Sequence, residues 1–533
     1  MRRAAPWVLL AAGVAVFLSE SWVRHAQLDD AYISYRYADN LVSGLGLVYN
    51  PGERVEGMTN LLWALLVAVG IKLGFDANVV GHALGLVFGS ALLVATALYA
   101  RVLVGAAGSW LSGVAAWVVV SSVAFVLWAT SGMETALFAA ATTAALAAQV
   151  RGHLGWATVG ALAATLTRPD GILVAAVIFG FHLASRWREG RRAWTWPAVY
   201  AVGVLLLTGF RLVYYGTPVP NTFYAKVGGI PIERGVSYLM DFLGDGAALL
   251  VVPAAIAVVR DRRSWPGAAF CAVQALYVVS VGGDVFPDAR FLLPALACMA
   301  ALAVRGAAAA HSLDSYAGIL IFLQLPMAIG WNVFGTLPAP VVLGLALPAI
   351  GAAVGVALGR RWIGVATLAT VAVVGGGLAW MNREAVRDFA RGSRVNQELK
   401  RVRRSFGVLE RMGFMRAQVL RDRGDPIRLV AGGAIGAFGF HSRLPIIDLY
   451  GLVDPEIARN REEVDVNAVL LPGHQRSNAG RIFARQPDYI LIPRPSTGVS
   501  ERLPANLAIV AHPDLAAHYE WDPEVWGYRR VRQ

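Results

Sequence analysis

Apolar residues dominate this chain in long runs rather than in alternation. Most runs are roughly 17–22 residues long, enough to cross a hydrocarbon core about 30 Å thick as helices. They fall near residues 5–23, 79–100, 109–128, 132–150, 153–167, 171–186, 194–213, 241–259, 265–281, 291–304, 315–332, 339–358 and 362–380. A further apolar stretch, Leu61 to Phe75, is shorter and contains Lys72. Its length suits a helix lying in the membrane interface better than a crossing. The pattern predicts a polytopic α-helical membrane protein of about 11–13 spans.

Beyond residue 384 the pattern changes. Arg383 to Asp425 is charged with a helical period, as in an amphipathic connector. Arg428–Ala431, Pro445–Leu449 and Asp488–Ile492 then read as short strands between polar or helical stretches. The predicted organisation is a membrane domain over residues 1–383, with a first outer loop at 24–78, followed by an α/β domain over 384–533. Gly432-Gly433-Ala434-Ile435-Gly436 follows the first strand but lacks the GxGxxG spacing of a dinucleotide site, so it reads as a glycine turn.

Composition agrees: 56% of the 533 residues are hydrophobic and only 15% charged, against about 25% charged in soluble proteins. The formal net charge of +12 would suggest nucleic acid in a soluble protein. Here the basic residues sit in clusters between apolar runs: Arg2-Arg3, Arg101, Arg151, Arg186 to Arg192, Arg260 to Arg263, Arg305 and Arg360-Arg361. That is the distribution of Lys and Arg retained in the cytoplasm, so nucleic-acid binding is rejected. Cys271 and Cys298 lie within separate apolar runs and read as packed membrane residues rather than a disulfide or metal pair. Arg2-Arg3 with the apolar stretch after it resembles a signal peptide, but no small-x-small cleavage site follows. It reads as an uncleaved first span.

With the N-terminus inside and each run crossing once, the basic clusters are cytoplasmic and the C-terminal domain is extracytoplasmic. The same threading gathers the acidic loops outside: Asp29-Asp30, Glu53 to Glu56, Ser131 to Glu134, Arg168-Pro169-Asp170, Tyr214 to Lys226, and Gly282 to Arg290. Asp29 and Asp30 sit at the interface, where partial desolvation raises a carboxylate's pKa and suits it to act as a base. The alternative is a solvated pair at the start of the helix that follows. Arg168, Lys226 and Arg290 break the basic-inside trend and suit an anionic headgroup such as a lipid phosphate, or simple snorkelling at the interface. Glu134, Asp170 and Asp284 are available to pair with them. Tyr214, Tyr215 and Tyr224 fit a sugar platform or an ordinary aromatic belt. No HExxH, CxxC set, GxSxG or P-loop is present.

The order of these motifs resembles a known family. Asp29-Asp30, Gly52 to Glu56, Thr130 to Glu134, Arg168-Pro169, Tyr214-Tyr215-Gly216 with Pro218 and Pro220, Ala225-Lys226, Gly282-Gly283-Asp284 with Arg290, and Gly451-Leu452-Val453 look like the GT-C superfamily of polyprenyl-phosphate-dependent glycosyltransferases. More narrowly, they resemble the mycobacterial terminal arabinofuranosyltransferases.

The resemblance implies attack of an acceptor hydroxyl on the anomeric carbon of a lipid-phosphate sugar, with inversion. The sugar would be arabinofuranose or a related pentose. The acceptor would be a cell-envelope glycan, lipid or protein, and the enzyme would sit in a bacterial inner membrane. Asp29 or Asp30 would be the base, the other orienting the acceptor or binding a cation, with a divalent ion near the pair as a possible cofactor. Arg168, Lys226 and Arg290 would neutralise the phosphate. Glu56, Glu134, Asp284, Tyr215 and Asn221 would bind sugar or acceptor hydroxyls. Two other classes compete: a lipid-linked glycan ligase or polymerase sharing the embedded donor site, and a transporter. A transporter predicts internal repeats and mid-membrane charges, and neither is visible in the sequence.

Overall fold

The computed structural model describes residues 5–23, 27–105, 111–226, 232–286, 288–310, 394–424, 426–460, 468–471, 473–494 and 500–531. The predicted spans 315–332, 339–358 and 362–380, and the start of the connector, lie outside the described residues. Among the described residues, fifteen α-helices precede that gap. They are α1 (Ala5–Val23), α2 (Asp29–Val42), α3 (Leu61–Lys72), α4 (Ala77–Val104), α5 (Ser112–Val120), α6 (Val123–Thr130), α7 (Thr135–Val150), α8 (Leu154–Thr167), α9 (Gly171–Arg186), α10 (Arg191–Tyr215), α11 (Asn221–Lys226), α12 (Ile232–Phe242), α13 (Ala248–Arg260), α14 (Trp265–Ser280) and α15 (Leu293–Ala310).

Among the described residues, four segments are long and apolar enough to cross a membrane unaided: Ala77–Val104, Arg191–Tyr215, Ile232–Arg260 and Arg290–Ala309. The predicted span 109–128 is not one rod. Ser121-Ser122 breaks it into α5 and α6, bent by 71°, and the pair counts as at most one further crossing. Shorter apolar helices, including α7 and α8, complete the bundle. Ile232–Arg260 likewise starts earlier than the predicted 241–259 and is interrupted at Gly246, whose φ of 97° is open to glycine.

At 12 residues, α3 is about 18 Å long, too short to cross. Its Trp63, Ala64, Val67 and Ala68 face inward while Leu65 and Val69 face out, as expected for an interfacial helix. The next helix opens on Asp76, whose carboxylate accepts from Asn78 N and Val79 N at 2.8 and 3.4 Å. Gly81, Gly85 and Gly89 then form one close-packing face of α4. A Cβ there would fall 1.8 Å from the Tyr35 hydroxyl, 2.1 Å from the Ala129 carbonyl and 2.4 Å from the Phe17 ring. Small residues at this spacing draw α1, α2 and α6 onto α4.

The C-terminal domain begins with the long amphipathic helix α16 (Arg394–Asp422). A five-stranded sheet follows, in the order β2-β1-β3-β5-β4. β1 (Val430–Gly432), β2 (Ile446–Asp448) and β3 (Tyr489–Leu491) are the three predicted strands, and they pair in parallel. β4 (Tyr519–Asp522) and β5 (Gly527–Arg530) form an antiparallel hairpin added to β3. Ala417 and Leu420 of α16 pack on Val430, Ile446 and Tyr489 across one face. The helices α17 (Gly436–Ser442), α18 (Pro455–Arg459), α19 (Ala479–Ala484), α20 (Pro504–Ala511) and α21 (Pro513–His518) complete the domain. The Gly432–Gly436 run turns β1 into α17.

Asp448, at the end of β2, is fully buried and accepts from the amides of Tyr450 and Val453 at 3.0 and 3.2 Å. Loss of solvent pushes its carboxyl up to about 7, against those amides. The folded domain therefore retains a proton that the unfolded chain releases above 3.8. This group's contribution to stability is complete at low pH and is lost as pH rises through about 7. Thermal unfolding between pH 4 and 8 is expected to carry a falling component that Asp448→Asn removes. An identical slope in the variant would assign the component elsewhere.

Candidate active site

The amide of Leu28 donates to the Ser131 carbonyl at 3.0 Å and seats the start of α2 against the α6–α7 turn. Asp29 and Asp30 occupy the first turn of α2. Successive residues on a helix diverge by about 100°, so the two carboxylates take different directions. Asp29 is buried and accepts from the amides of Gly436 and Ala437 at 3.1 and 2.9 Å. Burial raises its carboxyl to about 7, the Ala437 amide opposing and Asp30 adding. Asp30 is half-buried. Burial raises its pKa also, but Lys226, Arg290 and His474 pull it down and Asp284 pushes it up. The charges acting on Asp30 are thus those of three basic side chains and, counting the adjoining Asp29, two acids.

Arg290 is buried and its Nε lies 2.7 Å from Asp284 Oδ2. Its guanidinium sits 5.2, 5.1 and 5.0 Å from the ring centres of Trp128, Phe286 and Phe291. The turn before it is held in the left-handed region, with φ 60° at Asp288 and 45° at Ala289. Such backbone persists where the surroundings enforce it, and the Trp128 indole does so by donating to the Asp288 carbonyl at 3.0 Å. Arg168 lies on the same ring, 4.4 Å from the centre of Phe291. It donates to Asp170 at 2.9 and 3.3 Å and reaches Glu134 at 3.5 Å. Glu134 in turn accepts from Asn60 at 2.9 Å, and Asp170 from Gln274 at 3.2 Å. This second layer is a closed hydrogen-bonded network behind Arg290. Lys226 ends α11 and is the solvent-exposed cation of the set.

The remaining predicted residues hold the walls. Glu56 is buried in a forked pair with Arg211, at 2.8–3.1 Å. The Tyr215 hydroxyl donates to the Leu47 carbonyl at 2.8 Å. Asn221 donates to the carbonyls of Gly451 and Leu452 at 2.7 and 3.0 Å, and its Oδ1 is buried without a hydrogen-bond partner. The Glu56–Arg211 pair predicts a measurable cost: Glu56→Ala leaves a half-buried guanidinium without its carboxylate, about 1–3 kcal/mol. Its melting temperature in detergent is expected to drop, and Glu56→Leu with Arg211→Met to recover most of the loss. Equal melting of the single and double variants would deny the pair that role.

Sequence reasoning passed over the residues that dock the C-terminal domain onto this site. Arg36 is buried and donates to the carbonyls of Tyr49, Gly439 and Leu444 at 2.7, 2.6 and 2.8 Å, stacking on the Tyr49 ring at 4.1 Å. Asn50 and Ile446 exchange two hydrogen bonds of 2.8 and 3.0 Å. The Tyr49 hydroxyl donates to the Ile435 carbonyl at 2.6 Å. Arg36 is one of several cations between residues 24 and 78, with Arg24, Arg54 and Lys72, and carried no signal of its own. His474 carried none. As for a divalent ion beside Asp29 and Asp30, the donor set does not fit one: Asp29 is engaged by two amides and Asp30 faces cations. Among the described residues no group of three or more His, Cys, Asp or Glu side chains could hold a metal.

Residues 400–530 match a domain family described as a domain of unknown function, DUF8728. The chain is 28% identical over 355 residues to a terminal β-(1→2)-arabinofuranosyltransferase of Corynebacterium glutamicum, covering 55% of this chain and 50% of that protein. It is 30% identical over 356 residues to the protein of the same description from Mycobacterium tuberculosis, covering 56% of each. The chain thus spans about half the length of the curated relatives it matches. The apo crystal structure of ArnT from Cupriavidus metallidurans shares the fold, with a TM-score of 0.50 at 18% identity, over 84% of this chain and 86% of that one. The similarity to arabinofuranosyltransferases is the one anticipated from the ordered motifs, and the fold is that of a multi-pass membrane protein.

Proposed function

We propose that this chain is a membrane glycosyltransferase that moves a sugar from a polyprenyl-phosphate donor to a cell-envelope glycan, with inversion at the anomeric carbon. The sugar is arabinofuranose or a related pentose, as in the relatives' names. The observation that carries this reading is a half-buried carboxylate, Asp30, within the electrostatic reach of Lys226 and Arg290. A base beside cations is what the reaction needs. Asp30 takes the proton of the acceptor hydroxyl, and the hydroxyl oxygen attacks the anomeric carbon. The bond to the phosphate oxygen breaks, and its electron pair leaves with the phosphate. Lys226 and Arg290 offset the charge that develops there. Arg168, already paired with Asp170 and Glu134, acts from behind by fixing Phe291 and the charge beneath Arg290.

Asp284, adjoining Arg290, is the acid placed to receive a sugar hydroxyl. Glu134, Glu56, Tyr215 and Asn221 contribute by shaping the walls. The lipid tail enters sideways between helices, and the site and C-terminal domain face the extracytoplasmic side of a bacterial inner membrane, where nucleotide sugars are not available. The purified full chain, given polyprenyl-phosphate arabinofuranose and a short arabinan acceptor, is expected to extend the acceptor with a linkage of opposite anomeric configuration. A retained configuration, or no transfer from any polyprenyl-phosphate pentose, would overturn the reading.

A further inference from the structure

We propose that His474, carried by the C-terminal domain, is a working member of this site, and that the Gly473–Arg476 segment bearing it holds Lys226 in position. The inference rests on the reading above for its chemistry, though not for its geometry. A helix of six residues such as α11 does not hold itself in water; the C-terminal domain grips it at both ends. At its start, Asn221 donates to Gly451 and Leu452. At its end, Gln475 donates to the Lys226 carbonyl at 3.1 Å, and Arg476 to the Tyr224 carbonyl at 3.0 and 3.3 Å. Arg459 of α18 covers the Tyr224 ring at 4.7 Å. Gly473, at φ 81°, lies so close that a Cβ would come within 3.3 Å of Lys226 Cε. The placement of that ammonium is therefore set from the C-terminal domain.

Between Gly473 and Gln475 the chain presents His474. Its ring packs on Tyr450 with centroids 4.4 Å apart, and the Tyr450 amide is bonded to Asp448 at the end of β2. The imidazole is thus mounted on the sheet. It follows directly on Gly473, which lies against the Lys226 side chain, and its charge acts on Asp30 together with those of Lys226, Arg290 and Asp284. Of the groups acting on Asp30, Lys226 and Arg290 are balanced by Asp30 itself and Asp284, and His474 is the basic one whose charge changes near neutral pH, as that of the neighbouring Asp29 does among the acids. A protonated His474 keeps Asp30 in its carboxylate form, ready to accept a proton. It acts through Asp30 and is a positioning residue.

Two measurements on the full chain in detergent test this. Imidazole resonances are titrated by NMR in the wild type and in Asp30→Asn, with His474→Gln identifying the signal. The pKa of His474 is expected to fall when the Asp30 charge is removed; an unchanged titration overturns the proposal. Separately, the pH–rate profile of His474→Gln, with a polyprenyl-phosphate pentose as donor, is expected to show its acid limb moved up by about 0.5–1 pH unit. Gly473→Val is expected to raise the donor KM with the acid limb in place. An unmoved acid limb in His474→Gln overturns the role while leaving glycosyl transfer intact. If no sugar is transferred but His474 still responds to Asp30, the reaction falls and the shared site stands.

Discussion

Replacing Asp30 by asparagine is expected to lower sugar transfer by about 10²- to 10⁴-fold, the usual contribution of a positioned general base. The protein should fold and melt like the wild type, because among the described residues the Asp30 carboxylate has no hydrogen bond to lose. Asp29→Asn should do the reverse. Its amide group would turn a donor toward the N–H of Gly436 or Ala437, where the carboxylate now accepts at 3.1 and 2.9 Å. The seam between the first outer loop and α17 is then weakened, and melting temperature falls with activity following it. The two variants separate chemistry from support through opposite pairings of rate and stability. If Asp30→Asn transfers sugar at the wild-type rate, the base lies elsewhere.

Arg36→Ala, a change at a buried position of α2, is expected to cost about 3 kcal/mol or more of stability. Three hydrogen bonds from one guanidinium, to the carbonyls of Tyr49, Gly439 and Leu444, would be lost together, each worth about 1.5–3 kcal/mol when the donor is charged. No carboxylate lies within ion-pair distance of this guanidinium among the described contacts, so the substitution does not trade one charge defect for another. Limited proteolysis of the detergent-solubilised protein should cut the first outer loop in Arg36→Ala at protease levels that spare the wild type. Arg36→Lys, with one nitrogen in place of three, should fall between. Equal resistance in all three would mean that the loop is held by other contacts.

Much of the membrane bundle is legible in the sequence because a crossing helix needs only length and apolarity. Ala77–Val104 and Arg191–Tyr215 stand close to where their runs place them. The 71° break between α5 and α6 is not legible, since Ser121-Ser122 is too small an interruption to end an apolar run. β1, β2 and β3 are legible as fully buried triplets, apolar except for Asp448 at the end of β2. The β4–β5 hairpin is not, because Tyr519-Glu520-Trp521-Asp522 at the sheet edge is buried only at its two ends and reads as polar sequence. Asp29 and Asp30 announce themselves as adjacent interfacial acids, but their division of labour depends on Gly436 and Ala437, about 400 residues further along. Arg36 and His474 are invisible for the same reason: each acquires its role only through a distant partner.

That distance sets an order of events during synthesis. The first outer loop is made early, yet Asp29, Arg36, Tyr49 and Asn50 have their partners between residues 435 and 446. Until the last hundred or so residues have been made, these four side chains wait without their mates, and Lys226 waits for the segment at 473–476. The nascent protein should therefore be inert and protease-sensitive in its first loop, becoming competent in one late step when the terminal domain closes on it. Pulse-labelled chains stalled before residue 430 should stay cleavable there; early protection would place the closing step before the domain is complete.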